Sequence, residues 1–269
     1  MNQRIESTPS GKIQNNVVSP YTFSIGQSIS ESWARVSGFK STCLGALLIL
    51  FLILFGISII GTLVIYLAVG SLNNTLPVVS ASLWFVYFIA LLASFPLFYG
   101  YNFLGIKRSA NLPVKSKMIF EAYHFYWRLL GVLITRYVLI TITAFIIIVL
   151  TSFCLGLLAA VHTGIGITIA IIINIFAVIF DLFLLYYCFG LVIFSPYLVM
   201  DKNVGVFRAF KLSFQGFKQH GVKILITFFI IGILVQLSII PLGIGLIWTI
   251  PLANCLIGVI YRTIFGVTS

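Results

Sequence analysis

Six long stretches of this chain are apolar and almost free of charge. Because a helix of about 20 apolar residues crosses the roughly 30 Å hydrocarbon layer of a bilayer, each stretch predicts one transmembrane span. Charged residues make up only 8% of the chain, so little sequence remains from which a separate soluble domain could form. We therefore predict an all-α polytopic membrane protein with six transmembrane helices arranged as three hairpins. The predicted spans are residues 42–69, 78–103, 129–157, 167–194, 224–240 and 246–260.

The basic residues orient these spans, because Lys and Arg are retained on the cytoplasmic side of a membrane. Of the 16 Lys and Arg residues, all except Arg136 lie before the first span, between the second and third, between the fourth and fifth, or after the sixth. Both termini are therefore predicted to be cytoplasmic. The formal net charge of +11 is one-sided and favours anionic lipid headgroups. It does not predict nucleic-acid binding, since no soluble domain carries a groove-reading element.

The domain organisation predicted from the sequence is a tail followed by one membrane domain. Residues 1–22 are polar and lack the apolar core of a cleavable signal peptide, so we expect a disordered cytoplasmic tail. Residues 23–269 form the membrane domain. An aromatic residue, a nearby base and a Gly precede each pair of spans, which favours a threefold internal repeat. The repeat units are about 23–106, 117–200 and 204–266.

Each predicted hairpin is preceded by a short amphipathic segment. The third, at 204–218, places Phe207, Phe210, Phe214 and Phe217 in one stripe beside basic residues, a combination typical of a helix lying in an anionic membrane interface. The alternative is that these segments are the cytoplasmic ends of the spans, folded onto one another. The candidate residues for contact with lipid are Trp33, Arg35, Lys117, Trp127, Arg128, Arg208, Lys211 and Lys218.

Three groups of residues carry a resemblance to a known family. They are Ser195, Pro196 and Tyr197; Arg208, Ala209, Lys211, Ser213, Lys218 and His220; and Gly243, Ile244, Gly245, Ile247, Trp248 and Pro251. The pattern resembles the C-terminal half of bacterial six-span membrane proteins related to the membrane domain of glycerophosphoryl diester phosphodiesterases. The likeness extends to Leu104, Gly105 and Arg108 and to the aromatic run around Trp127. It implies a bacterial inner-membrane location and a membrane module without the soluble domain that performs hydrolysis.

Two charges fall inside predicted spans, Arg136 in the third and Asp181 in the fourth. Counting 1.5 Å per residue from the ends of the spans gives them similar depths on adjacent antiparallel helices, which predicts an ion pair. Two alternatives remain open. The charges line a path for a polar substrate or protons, or each reaches the membrane surface without pairing.

Catalytic and metal-binding patterns are not found in the sequence. The three His and five acidic residues are scattered, without metal-ligand spacing, paired carboxylates or a phosphate-binding loop. Cys43, Cys154, Cys188 and Cys255 lie in or beside the spans at different depths and are expected to be reduced and buried. We expect neither enzyme activity nor a cofactor.

Two functions remain open from the sequence. The leading prediction is a module that engages anionic membrane lipids or a partner membrane protein through its basic cytoplasmic helices. The alternative is a small-molecule or ion transporter, or a channel, that uses Arg136 and Asp181.

Overall fold

The computed structural model describes residues 13–14, 17–18, 20–70, 76–160, 164–240 and 242–268. Strands β1 (Ile13–Gln14) and β2 (Val17–Val18) pair antiparallel, and everything that follows is helical or connecting chain. Most of the predicted tail 1–22 lies outside the described residues. Tyr21 is nevertheless buried, as is Phe23 just after the tail.

Six described helices are long and apolar enough to cross a membrane. This confirms the predicted fold class of an all-α polytopic membrane protein. They are α2 (Lys40–Gly70), α3 (Leu76–Ser109), α4 (Tyr126–Ala160), α5 (Gly164–Val192), α7 (Val206–Leu237) and α8 (Leu246–Phe265). The shorter elements are α1 (Ile25–Val36), a 3₁₀ helix (Ser116–Phe125) and α6 (Ser195–Lys202).

A short helix precedes each long hairpin, as the amphipathic patterns predict. Helix α1 ends at Val36, and Gly38 takes a positive φ of 75° that only Gly adopts without strain before α2 begins. The 3₁₀ helix leads directly into α4. Within α7, His220 has non-helical angles (φ −138°, ψ 30°). This break separates a first segment, 206–219, from an apolar second segment, 221–237.

The chain divides into two compact units, residues 1–126 with 222–269 and residues 127–221. In the first unit, the end of α3 packs against the start of α2, the 3₁₀ helix and α8 around Phe39, Leu97, Leu104 and Ile119. The opposite ends of α2 and α3 expose large apolar side chains such as Phe55. An exposed apolar surface of this kind is suited to contact with lipid and not with water.

In the second unit, α4 and α5 form an antiparallel hairpin. The Asn174 side-chain amide donates to the Cys154 carbonyl at 3.2 Å, and Thr143 Oγ1 lies 3.1 Å from Cys188 Sγ. Polar side chains that bond across helices are favoured in spans, since unpaired polar groups in hydrocarbon are costly. All four cysteines are free; Cys43, Cys154 and Cys255 are buried, as predicted, whereas Cys188 is half-buried.

Candidate functional site

A polar network joins α1 to the C-terminal ends of α3 and α8 in the first unit. Glu31 Oε1 accepts hydrogen bonds from Arg35 Nη2 at 2.7 Å and from Arg262. Arg262 Nη1 also donates to the Ser109 carbonyl at 2.6 Å. One carboxylate therefore holds two guanidinium groups that come from opposite ends of the sequence.

Arg35 and Arg108 extend this network by exchanging hydrogen bonds with each other's backbone. Arg35 Nη1 donates to the Arg108 carbonyl at 3.2 Å and to Asn111 Oδ1 at 2.7 Å. Arg108 Nε donates to the Arg35 carbonyl at 3.2 Å, and its Nη2 donates to the Ser37 carbonyl at 2.6 Å. The Arg35 side chain is thus engaged within the protein, and its predicted contact with lipid stays a prediction.

The network perturbs the Glu31 carboxyl, which lies outside the apolar spans. Partial burial alone would raise its pKa, but the hydrogen bonds and positive charges of Arg35 and Arg262 hold the pKa below its ordinary value. The sequence shows Glu31 and Arg35 four residues apart on one helix face, where such pairs form. It contains no local signal for Arg262 or Asn111, and both were missed.

The aromatic stripe of the first α7 segment does not face outward as a whole, and this corrects the sequence prediction. Phe210 and Phe217 are buried. The Phe214 ring packs against Tyr187 in a tilted arrangement, with centroids 4.3 Å apart. Only Phe207 is exposed, at 83%. The aromatic stripe packs against aromatic rings and a glycine of α5. Because this protein surface is as apolar as lipid, it covers most of the stripe.

Serine hydrogen bonds fix the same segment against the end of α5. Ser213 Oγ donates to the Gly190 carbonyl at 2.8 Å and accepts from the Phe194 backbone N–H at 3.1 Å. The Phe217 ring lies directly against Gly190, where a Cβ would come within 2.3 Å of it. These contacts determine which face of the segment turns outward.

The outward face is basic. Arg208, Lys211 and Lys218 are exposed, and the structure gives none of them a hydrogen bond or ion pair within the described chain. Their spacing of three and seven residues places them along one side of a helix. Gln215 lies on the same side, and its Oε1 is buried without a partner in the described chain. We call Arg208, Lys211 and Lys218 the basic stripe.

The other predicted lipid contacts divide into two groups. Trp33, Lys117 and Trp127 are exposed, as a lipid-facing role requires. Arg128 instead donates to the carbonyl and the side chain of Asn203, a residue in the left-handed conformation (φ 54°) at the end of α6. Arg128 therefore caps a helix, and its predicted contact with lipid stays a prediction.

No ion pair joins Arg136 to Asp181 among the described residues, so the predicted pair is wrong. The contacts of Thr143 with Cys188 and of Asn174 with Cys154 set the register of α4 against α5. In this register Asp181 lies level with the region near residue 148, about 12 residues and hence about 18 Å along α4 from Arg136.

The physical reason is that the helices extend beyond the hydrocarbon layer. Helix α4 has 35 residues, or about 52 Å of rise, against a layer of roughly 30 Å. Counted back from its end at Ala160, Arg136 lies about 36 Å away along the helix, a distance greater than the thickness of the hydrocarbon layer. Counting from the ends of the predicted spans therefore gives the two charges similar depths, whereas the contacts between α4 and α5 separate them along the helices.

Asp181 remains an unusual group. It is 7% exposed, and its Oδ1 has no hydrogen-bond partner in the part of the chain that the structure describes. Among the described residues no group of three or more His, Cys, Asp or Glu side chains could hold a metal ion.

Comparison with known proteins adds no relative. The chain matches no protein-family model, no curated protein and no solved structure. The resemblance to the membrane domain of glycerophosphoryl diester phosphodiesterases therefore stays a prediction.

Proposed function

We propose that this protein is a non-catalytic inner-membrane module that binds anionic lipid headgroups through the basic stripe of α7. The observation that carries the proposal is the set of three exposed cations without a protein partner beside the exposed ring of Phe207. The cations of the polar network, by contrast, are engaged inside the fold. The stripe is thus a cationic surface that lacks a counter-ion in the described structure.

The position of the stripe supports a lipid as the counter-ion. Only a few residues separate Lys218 from the uncharged apolar run that begins at Ile224, so the stripe lies close to a membrane surface by chain continuity. Each base near an anionic surface contributes about 1 kcal/mol, and an exposed aromatic ring adds apolar contact in the headgroup region. Buried Phe210 and Phe217 hold the helix so that the bases point away from the protein.

The test removes the stripe without altering the fold. The triple variant Arg208→Gln, Lys211→Gln, Lys218→Gln should retain less phosphatidylglycerol or cardiolipin after purification in mild detergent, measured by mass spectrometry of the bound lipid. Three contributions of about 1 kcal/mol, reduced by screening, predict a loss of affinity of roughly 10-fold or more. Neutral phospholipid should be retained as before.

Two controls define the result. The variant Lys211→Arg, Lys218→Arg keeps the charge and should keep the lipid. The variant Lys115→Gln removes an exposed charge of the first unit that is not a candidate lipid contact, and it should leave the retained lipid nearly unchanged. Unchanged retention of anionic lipid in the triple variant would overturn the proposal, and the stripe would then be left as a surface for a protein partner or as a determinant of topology.

A second candidate function rests on Asp181. A carboxylate with an unpartnered oxygen inside an apolar helix is a functional-site hypothesis for an ion or proton path. A flux of ions or protons into proteoliposomes would support a transporter or channel if Asp181→Asn abolishes that flux while folding and lipid retention persist. The separation of Arg136 from Asp181 argues against a path that uses both.

A further inference from the structure

Helices α3 and α8 run parallel with a constant offset. The Asn254 side-chain amide donates to the Tyr101 carbonyl at 3.0 Å, and Arg262 Nη1 donates to the Ser109 carbonyl at 2.6 Å. Both bonds join residues that are 153 positions apart. Between them, a Cβ on Gly258 would come within 2.1 Å of the Gly105 carbonyl oxygen, so the two backbones touch.

This offset gives the level along α3 at which α8 begins. The first residue of α8, Leu246, lies level with Ala93 of α3. Helix α3 begins 17 residues earlier, at Leu76, which is about 25 Å further toward the outer side. The turn between α7 and α8 therefore stops far short of the outer ends of α2 and α3.

The exposed apolar surface of α2 and α3 marks the hydrocarbon layer. On α3 it extends to Phe98, and from Leu76 to that residue the helix rises about 33 Å, close to the thickness of the hydrocarbon. The start of α8 is level with the inner part of this band. From Pro251 onward, most of α8 is buried in protein.

The turn itself has the chemistry of a segment that lies in lipid. No Lys, Arg, Asp or Glu occurs from Ile224 to Tyr261, and Leu242 is 96% exposed. The other two connections that lead outward carry polar residues, such as Asn74 and His162. An exposed turn of this composition in water would be an isolated apolar protrusion.

Most of the described N–H groups of the turn are hydrogen-bonded within the protein, as a hydrocarbon environment favours. The N–H groups of Ser238, Ile239 and Ile240 donate to carbonyls of the preceding helix, and those of Leu242 and Gly243 donate back to Ile240 and Ile239. The N–H groups of Leu246, Ile247 and Trp248 each donate to the carbonyl three residues earlier. Pro241 has no N–H to satisfy.

We infer that the second segment of α7 and α8 form a re-entrant hairpin that enters the bilayer from the cytoplasmic side and returns. Its tip, residues 237–240 and 242–248, contacts the acyl chains of the inner leaflet and does not reach the outer surface. Trp248, whose ring lies 5.0 Å from Lys40 Nζ, marks the inner headgroup level, where Trp and Lys anchor membrane proteins. This inference does not depend on lipid binding by the basic stripe.

The experiment measures the depth of the tip in the full-length protein. Leu242→Cys carrying a nitroxide label in liposomes should be accessible to molecular oxygen and shielded from a water-soluble nickel complex. The matched control Asn74→Cys, in the loop between α2 and α3, should be accessible to the nickel complex. Nickel accessibility at position 242 equal to that at position 74 would overturn the inference, because the tip would then lie in water.

A second variant tests the same inference without a label. Leu242→Arg places a charge in hydrocarbon under the re-entrant arrangement, and it should reduce the yield of folded protein several-fold. Asn74→Arg should leave the yield unchanged. Equal yields from Leu242→Arg and Asn74→Arg would also contradict the re-entrant hairpin.

Discussion

Glu31 and Arg262 lie 231 residues apart in the sequence and form one ion pair between α1 and the end of α8. Both side chains are about three-quarters buried. The pair holds the short helix that precedes the first hairpin to the last helix of the chain.

We expect Arg262→Ala to lower thermal stability in detergent by about 1.5–3 kcal/mol, the range for hydrogen bonds to charged groups. Glu31→Ala should have a similar effect. Because the two share one interaction, the double variant should lose less than the sum of the singles, by more than about 0.5 kcal/mol. Simple additivity would mean that the ion pair does not contribute to stability.

The same carboxylate predicts a pH dependence. Since the pKa of Glu31 is lowered in the folded protein, its contribution to stability is present above its ordinary value of 4.5 and is lost as the pH falls through the folded-state pKa. Melting temperatures measured from pH 7 to pH 3 should fall less steeply at the acidic end for Glu31→Gln than for the wild type. Parallel curves for the two proteins would contradict this prediction.

The crossing of α3 and α8 depends on Gly105, where a Cβ would lie 2.1 Å from the Asn254 carbonyl oxygen. Gly105→Ala should therefore separate the helices and destabilise the protein by about 1–3 kcal/mol, as overpacking does. The matched control is Gly56→Ala in α2, where an added Cβ meets no atom of the described chain within 4 Å. If both substitutions are tolerated equally, the close crossing is not required.

The separation of Arg136 from Asp181 predicts independent effects. The losses or gains from Arg136→Leu and Asp181→Leu should add to within about 0.5 kcal/mol, as for residues without a shared contact. Asp181→Leu should be neutral or stabilising in thermal melts, because it removes a buried carboxylate with an unpartnered oxygen. Recovery of stability in the double variant would instead indicate an ion pair.

The topology prediction follows from the one-sided basic residues. Reporter fusions at Asn74 and His162 should read outside, and a fusion at Ser269 should read inside. A re-entrant last hairpin leaves these three results unchanged, since an even number of crossings precedes the C-terminus in either arrangement. An outside signal at Ser269 would reject both arrangements.

The helices and their order are predictable from the amino-acid sequence alone. Long uncharged runs predict the six apolar helices because backbone groups in hydrocarbon must bond within a helix. The change from an amphipathic to an apolar pattern predicted a separate short helix before Ile224, and the structure places the break at His220. These features depend on composition and on neighbours along the chain.

Contacts between residues far apart in the sequence set which face of each helix packs against protein and which is left for lipid. The hydropathy of a side chain does not predict whether it faces protein or lipid, because a packed protein interior and a lipid tail are equally apolar. For this reason Phe217 was predicted to face lipid and is buried, and Arg35 was predicted to contact headgroups and bonds to Glu31. The register of α5 on α4 and of α8 on α3 likewise depends on contacts between distant residues, such as Asn254 with Tyr101. Those contacts separate Arg136 from Asp181 along the helices and set the start of α8 level with Ala93 of α3.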